Sequence, residues 1–220
     1  MTTTSPSAPP SARTTVKRRP DRGRYDRDQV HAVLDEGLVA HVGLATPEGP
    51  VVIPMLYARD GDRLLLHGST ASRLLRGGKG TEMCVTVTLV DGLVLARSAF
   101  HHSMNYRSVV VFGQATAVAD PDERRAALDV LVEHIVPGRT GETREPNDKE
   151  LRSTLVLALP LDEASVKVRT GPPIDEDEDH DLPHWAGVVP VTTVFGEPEP
   201  APDLAAGIPV PGHVAGYRRR

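Results

Sequence analysis

Residues 41–68, HVGLATPEGPVVIPMLYARDGDRLLLHG, contain three apolar runs that are separated by two turn signals. The first signal is PEGP at 47–50, and the second is Asp60-Gly61, a dipeptide typical of tight β-hairpin turns. This order predicts three strands joined by hairpins. Pro54, inside the middle run, cannot donate a backbone hydrogen bond, so we expect its strand to lie at a sheet edge or to be interrupted there.

Strand-like patterns continue along the chain. Residues 81–100, TEMCVTVTLVDGLVLARSAF, predict a second hairpin with its turn at Asp91-Gly92, and residues 106–119 predict a further strand with a bulge at Gly113. STLVLALPL and EASVKVRTG predict two closing strands. Six or seven strands, mostly in hairpins, favour an antiparallel sheet that closes into a small barrel. The predicted fold class is therefore mainly β, with peripheral helices.

Two stretches predict amphipathic helices. The first follows Asp26, a candidate N-cap with Gln29 three residues later, and ends at Gly37. The second follows Asp120, with Pro121 at the first helical position and a stop at Pro137-Gly138. Their apolar residues recur at helical spacing, which indicates that each helix packs on the sheet.

Composition divides the 220 residues into a core region and two tails. Residues 1–24 are rich in Ser, Thr, Pro and Arg, and they predict a disordered N-terminal tail without the apolar core of a secretory signal. Residues 25–171 form the predicted barrel domain, and the acidic, proline-rich residues 172–220 predict an extension that lies partly on it. A net charge of −5 gives no reason to expect nucleic-acid binding, and a single Cys84 fits a reducing, cytoplasmic setting.

The turn after the third strand is rich in hydroxyl groups. Gly68, Ser69, Thr70 and Ser72 precede leucines at helical spacing, and Arg73 adds a guanidinium. Backbone N–H groups at the start of a helix favour a phosphate, which an arginine can hold with two hydrogen bonds. The alternative is ordinary helix capping beside a solvated arginine. The stretch lacks the Walker and dinucleotide GxGxxG patterns, so a phosphate site here is of another kind.

Four stretches together resemble the pyridoxamine 5′-phosphate oxidase-like family of flavin-binding split barrels, and in particular its branch that includes nitroimidazole-resistance proteins. They are HVGLATPEGPVVIPMLYARDGDRLLLHGSTASRLL, CVTVTLVDGLVLARSAFHHSMNYRSVVVFG, SVKVRTGPP and HWAGVVP. The resemblance implies an antiparallel split barrel that forms a homodimer with FMN at the subunit interface. It also implies an oxidoreductase that transfers hydride or electrons between FMN and a small organic substrate. No stretch of the sequence approaches the roughly 20 apolar residues of a membrane span, so neither a membrane nor, given the net charge, a nucleic acid is an expected partner.

The resemblance also implies which residues contact the cofactor. In such proteins the hydroxyl-rich turn holds the phosphate and the proline-containing strand meets the flavin ring. The polar start of the long strand that follows the second predicted hairpin completes the pocket. His67 is the candidate catalytic group because it corresponds to a histidine beside the flavin. The implied cofactor-binding set is Ile53, Pro54, Met55, His67, Gly68, Ser69, Thr70, Ser72, Arg73, Asn105, Tyr106, Arg107 and Ser108.

Other readings stay open. The chain could be a flavin carrier or sensor without turnover, or a haem-binding or deazaflavin-binding relative, in which His67 or His101 would be the axial ligand of a haem. A metal site is not expected, because adjacent His101 and His102 on a strand would point to opposite faces. In the apolar strand around it, Cys84 is expected to be a small core residue.

Overall fold

A computed structural model describes residues 8–72 and 80–219. Within these residues the chain forms ten antiparallel strands and four α-helices. The strands are β1 (Gly23–Arg24), β2 (Val39–Thr46), β3 (Gly49–Asp60), β4 (Arg63–Ser69), β5 (Glu82–Leu95), β6 (Ser103–Gln114), β7 (Thr116–Ala117), β8 (Thr154–Pro160), β9 (Glu163–Arg169) and β10 (Gly187–Pro190). The helices are α1 (Arg27–Glu36), α2 (Pro121–Ile135), α3 (Asp148–Ser153) and α4 (Gly212–Ala215).

The hairpins predicted around β2, β3 and β4 are confirmed. Thr46 pairs with Gly49 across the first turn, and Asp60 pairs with Arg63 across the second. Gly61 in the second turn has a φ of 56°, a left-handed conformation that glycine adopts without steric cost.

The strands follow the order β1-β9-β6-β5-β2-β3-β4-β8-β7, and β10 pairs with β5. The sheet curls so that β6 approaches β8: a Cβ atom on Gly113 would lie 3.1 Å from Leu159 Cδ1. Buried side chains fill the barrel interior, and a second cluster lies between the sheet and α2. The mainly β, antiparallel split-barrel fold is confirmed.

The predicted turn at Asp91-Gly92 is wrong. β5 runs without interruption from Glu82 to Leu95, and its register with β6 shifts between Val90 and Gly92. Asp91 accepts hydrogen bonds from Arg107 on β6, so a cross-strand charge pair occupies the place where a turn was expected. Gly113 has no bulge either, since Met83 and Gly113 pair in regular register.

Both helices begin where the sequence predicts. The Asp26 side chain accepts from the Gln29 N–H at 3.1 Å, and the Asp120 side chain accepts from the Glu123 N–H at 2.8 Å. Among the described residues, no helix is long and apolar enough to cross a bilayer.

The two tails contact the barrel. In the segment expected to be disordered, β1 pairs with β9, and Arg13 lies over the Phe112 ring while it pairs with Glu82 and Glu163. These contacts join residues 8–24 to β5, β6 and β9. At the other end, β10 pairs with the second half of β5, and residues 211–219 lie against the ends of α1 and α2. The domain boundaries themselves stay a prediction.

Candidate functional site

The hydroxyl-rich turn ends β4, where His67, Gly68 and Ser69 pair with β8. The chain then turns sharply, since the Ser72 N–H donates to the Ser69 carbonyl at 2.9 Å and the Ala71 N–H donates to the Ser69 hydroxyl at 3.1 Å. Ser69 and Thr70 are exposed. Their hydroxyl groups are therefore presented to solvent beyond the end of the strand. Arg73 and the predicted helix after it lie outside the described residues.

His67 is half-buried on β4, on the same face as Leu65, which packs in the cluster below α2. Burial lowers the pKa of His67, so its imidazole is neutral near pH 7. Within residues 8–72 and 80–219, no hydrogen-bond partner of the His67 ring is found. A neutral, unpartnered imidazole has a nitrogen lone pair that can accept a proton or ligate a metal.

Ile53, Pro54 and Met55 lie on the half of β3 that has a single neighbouring strand in the described structure. β2 pairs with residues 49–56, whereas β4 pairs only with residues 57–60. The edge position predicted from Pro54 is confirmed. Pro54 points to the outer face of the sheet, while Ile53 and Met55 point inward opposite Val42 and Ala40. Within residues 8–72 and 80–219, one backbone edge of this half-strand therefore has no strand partner, and a ligand can bind there.

The fourth predicted group, Asn105, Tyr106, Arg107 and Ser108, lies at the start of β6. These residues pair with β5 and β9, far along the sheet order from the His67 turn on β4. The Ser108 hydroxyl lies 3.0 Å from the Thr88 hydroxyl, and Asn105 is buried. No described strand pairing brings this group to the turn within one chain.

Arg107 is engaged by two carboxylates. Its Nη2 donates to Glu36 Oε1 at 2.8 Å and to Asp91 Oδ1 at 2.7 Å. Its hydrogen bonds to Asp91, and next those to Glu36, raise the pKa of Arg107. The three side chains line a pocket of about 510 Å³ that Phe195 of the C-terminal extension helps to enclose. Because its charge is already balanced, Arg107 acts here as a structural tie between α1, β5 and β6.

Sequence reasoning missed His41. It is exposed on the outer face of β2, directly opposite Pro54 of β3. The signal was present, because a two-residue turn at 47–48 fixes this pairing once the hairpin is assumed. His41 is therefore a second imidazole beside the strand that is expected to meet the flavin ring.

Comparison with known proteins identifies the family. Residues 26–168 match the family described as pyridoxamine 5′-phosphate oxidase. The chain belongs to this family. It has the family's flavin-binding split-barrel fold, as the sequence resemblance implied. Among curated proteins, none matches this chain.

Solved structures extend the likeness over almost the whole chain. The flavocytochrome Anf3 from Azotobacter vinelandii is 41% identical, with a TM-score of 0.91, over 95% of this chain and 98% of its own. An FAD and haem binding protein from Mycobacterium smegmatis is 43% identical, with a TM-score of 0.85, over 89% of this chain and 96% of its own. A protein described as a 5-nitroimidazole antibiotic resistance protein from Bacteroides thetaiotaomicron is 25% identical, with a TM-score of 0.55, over 66% of this chain and 86% of its own.

The remaining predicted histidines of this family member have partners. His101 Nε2 lies 3.3 Å from Glu176 Oε1, and His102 Nδ1 lies 3.0 Å from the Ser98 carbonyl oxygen. The first contact ties the segment between β5 and β6 to the C-terminal extension, and the second lies within that segment. His67 and His101 are the two candidate axial ligands of a haem. In the described structure, the His67 ring has no hydrogen bond or ion pair, whereas the His101 ring lies beside Glu176.

Proposed function

We propose that this protein is a flavin-dependent oxidoreductase of the flavocytochrome kind, which holds a flavin and a haem and passes electrons to a small organic acceptor. The observation that carries the proposal is the extent of the likeness: two relatives named for flavin and haem or as a flavocytochrome are over 40% identical across at least 89% of this chain. A reduced nicotinamide is the proposed electron donor. FMN remains the predicted flavin, and FAD is the alternative that the relative from Mycobacterium smegmatis supports.

The described residues fit a flavin. The exposed hydroxyls of Ser69 and Thr70 suit phosphate oxygens, because hydroxyl donors can satisfy an anion that water would otherwise solvate. The unpaired edge of residues 52–56 supplies backbone donors and acceptors for a planar ring with polar edges. A bound flavin supplies hydride and single-electron transfer, and the protein supplies position and exclusion of water.

A specific observation favours haem as well. Haem iron is commonly held by a neutral histidine imidazole. Burial keeps His67 neutral, and its ring has no hydrogen-bond partner among the described residues. We therefore assign His67 as the candidate axial ligand, in place of the catalytic role at the flavin that the resemblance implied.

A homodimer is part of the proposal. On the outer face of the sheet, Val39 of β2 pairs with Leu56 of β3, and both are over 40% exposed, as is Val52 at 64%. Apolar side chains that adjoin on a sheet face favour association. A second copy on this face would cover them and would exclude water from the edge of residues 52–56. It would also allow Asn105 to Ser108 of one subunit to approach the turn of the other.

Titration of the cofactor-depleted protein tests the assignment. FMN and FAD binding is followed by flavin fluorescence, and haemin binding by the Soret band. We expect saturable binding of one flavin and of haemin, with the Soret band shifted or lost in His67→Ala and retained in the matched variant His102→Ala. Saturable flavin binding with no specific haemin binding would contradict the flavocytochrome assignment and leave a simple flavoprotein.

The dimer is tested by light scattering coupled to size-exclusion chromatography. Val52→Asp places a charge on the outer face and is expected to yield monomer. Val194→Asp changes a valine that is 83% exposed in the C-terminal extension and serves as the control that stays dimeric. A wild-type monomer at micromolar concentration would contradict this part of the proposal.

A further inference from the structure

Residues 211–219 lie against the ends of α1 and α2 at the end of a long extended stretch. Residues 199–210, which precede them, are all exposed and contain no helix or strand. The position of residues 211–219 is therefore set by their own contacts with the barrel and its helices. We call residues 211–219 the latch.

Two side chains hold the latch to the ends of the helices. The Tyr217 hydroxyl donates to the Ile135 carbonyl at 2.5 Å. The Arg219 guanidinium donates to main-chain carbonyls, among them those of Asp35 at 2.6 Å and Glu36 at 3.0 Å. Helix α4, within the latch, has four residues, too few to be stable in isolation. The latch therefore depends on these contacts for its order.

The latch closes one side of the pocket of about 510 Å³ that Glu36 and Asp91 line. Arg219 itself is part of the pocket wall, and so is Phe195. The Phe195 ring meets the Tyr217 ring edge to face, with the ring centroids 4.6 Å apart. Release of the latch would withdraw Arg219 from the wall and remove the support of Phe195. It would therefore open the pocket further to solvent.

One nitrogen atom makes the latch sensitive to pH. His134 Nε2 lies 2.9 Å from the Gly37 carbonyl oxygen and 3.2 Å from Arg219 Nη2. With a lone pair this nitrogen accepts from Arg219, whereas as N–H it donates to Gly37. Since Arg219 can only donate, the two hydrogen bonds exclude each other. A protonated His134 has hydrogen on both ring nitrogens and a positive charge, so it keeps the Gly37 contact and repels Arg219.

The other ionisable groups that face His134 leave this repulsion largely uncompensated. Asp35 favours the charged imidazole, but its carboxylate is paired with Arg59 at 2.7 Å and 2.8 Å, and Arg59 has the opposite effect. The Tyr57 ring lies 5.0 Å from the His134 ring, and burial raises the pKa of Tyr57, so its hydroxyl stays neutral. Burial is also the main cause that lowers the pKa of His134, and the charge of Arg219 lowers it further.

We propose that residues 211–219 form an acid-sensitive latch, which protonation of His134 releases and which thereby widens the entrance of the pocket at the end of α1. With the latch released, His134 is exposed and has its usual pKa of about 6.5. Because this pKa is lower while the latch is closed, the open state takes up the proton first as the pH falls. Opening therefore becomes easier below about pH 6.5. Latch release requires neither flavin nor haem, since His134 and Arg219 lie outside the implied cofactor-binding set.

The latch carries a second histidine, whose protonation acts in the opposite direction. His213 packs on Gly138, and its Nε2 lies 3.9 Å from Glu142 Oε2. A positive charge on His213 would strengthen its attraction to that carboxylate and hold the latch closed. The direction of the pH response therefore distinguishes His134 from His213.

Hydrogen exchange of the full-length protein, followed by mass spectrometry, tests the latch. The Gly216 and Tyr217 amides donate hydrogen bonds within the latch, so their exchange reports its order. Protection factors are corrected for the pH dependence of chemical exchange. We expect those of residues 211–219 to fall about fivefold between about pH 7.5 and about pH 5.5, while peptides of β5 and β6 keep theirs.

Three variants assign the response to its sensor. His134→Gln stays neutral, and its amide can donate to Gly37 and accept from Arg219, so the latch should stay protected at both pH values. Arg219→Ala should have low protection at both. His213→Gln is the matched control and should keep the response of the wild type.

The outcomes separate latch release from its alternatives. Equal protection of the wild-type latch at the two pH values, or a loss at low pH that persists in His134→Gln, would overturn the proposal. A response that is absent from His213→Gln would assign the sensor to His213 and would overturn it as well. An equal loss of protection in β5 and β6 would show global unfolding in place of latch release, with the same consequence.

Discussion

Arg219 donates from Nη2 to the main-chain carbonyl of Asp35 at 2.6 Å. Its Nε also donates to the Glu36 carbonyl at 3.0 Å, and Nη1 donates to the His134 carbonyl. A residue at the far end of the chain thus satisfies the unpaired carbonyls at the ends of both α1 and α2. A cation is favourable at these ends, because the helix dipole leaves them partly negative.

Arg219→Ala is therefore expected to lower the free energy of unfolding by about 1–2 kcal/mol, since several carbonyls lose a charged donor. Arg218→Ala, one residue away on an exposed side chain, is the matched control and should leave stability unchanged. Urea denaturation followed by circular dichroism measures both. Equal midpoints for the two variants would show that the C-terminal contact contributes nothing to stability.

Gly37 follows the last residue of α1, and steric crowding explains why this position holds a glycine. Its φ is −71°, so the left-handed conformation that often favours glycine after a helix is absent. A Cβ atom there would lie 2.5 Å from Val87 Cγ1 and 2.6 Å from the Tyr57 hydroxyl oxygen. We expect Gly37→Ala to destabilise the fold by about 1–3 kcal/mol through this overlap.

Gly141→Ala provides the comparison, because nothing lies within 4 Å of a Cβ atom at that position. Thermal melts of the two variants should differ by several degrees. If Gly37→Ala had the same melting temperature as Gly141→Ala and the wild type, the close packing of α1 against Tyr57 would be refuted.

The protein should lose stability below about pH 6.5, the usual pKa of histidine in an unfolded chain. Burial is the main cause that lowers the pKa of both His67 and His134 in the folded state. As the pH falls, the unfolded chain therefore takes up these protons first, and unfolding becomes easier until the folded pKa is reached. His134 Nε2 lies 2.9 Å from the Gly37 carbonyl oxygen, a contact that glutamine can also make.

His134→Gln removes one titrating group and should flatten the dependence of the unfolding free energy on pH below about pH 6.5. Denaturant titrations at several pH values measure the slope. An unchanged slope would mean that His134 takes up its proton equally in the folded and unfolded states.

Flavin affinity should depend on the Thr70 hydroxyl. The Thr70 N–H donates to the Ser153 carbonyl at 2.9 Å, and this bond survives in Thr70→Ala. The variant therefore removes one phosphate donor and leaves the turn intact, so we expect flavin binding to weaken about fivefold. Thr116→Ala, on exposed β7, is the control for loss of a hydroxyl. Equal flavin affinity in all three proteins would show that the turn does not bind the phosphate.

Local signals in the sequence predicted much of the barrel. The β2–β3–β4 hairpins follow from PEGP and from Asp60-Gly61, and the caps at Asp26 and Asp120 follow from residue spacing. Each of these depends on residues within a few positions of one another. They could be recognised without knowledge of the rest of the fold.

Features that depend on distant partners could not be predicted in this way. Asp91-Gly92 carries a strong turn signal, but Arg107 on β6 pairs with Asp91 and the strand continues. The order of the N-terminal segment depends on Arg13 reaching Glu82 and Glu163. That Arg169 is buried and donates to the Asn105 side chain and to two carbonyls becomes evident only when the groups around it are known.

The most direct test of the proposed function is the visible spectrum of the freshly purified protein, with the extracted cofactors identified by mass. The proposal predicts flavin bands together with a Soret band, and release of FMN or FAD and of haem. A protein that is colourless as purified, and that gains neither colour nor thermal stability when flavin and haemin are added, would contradict it.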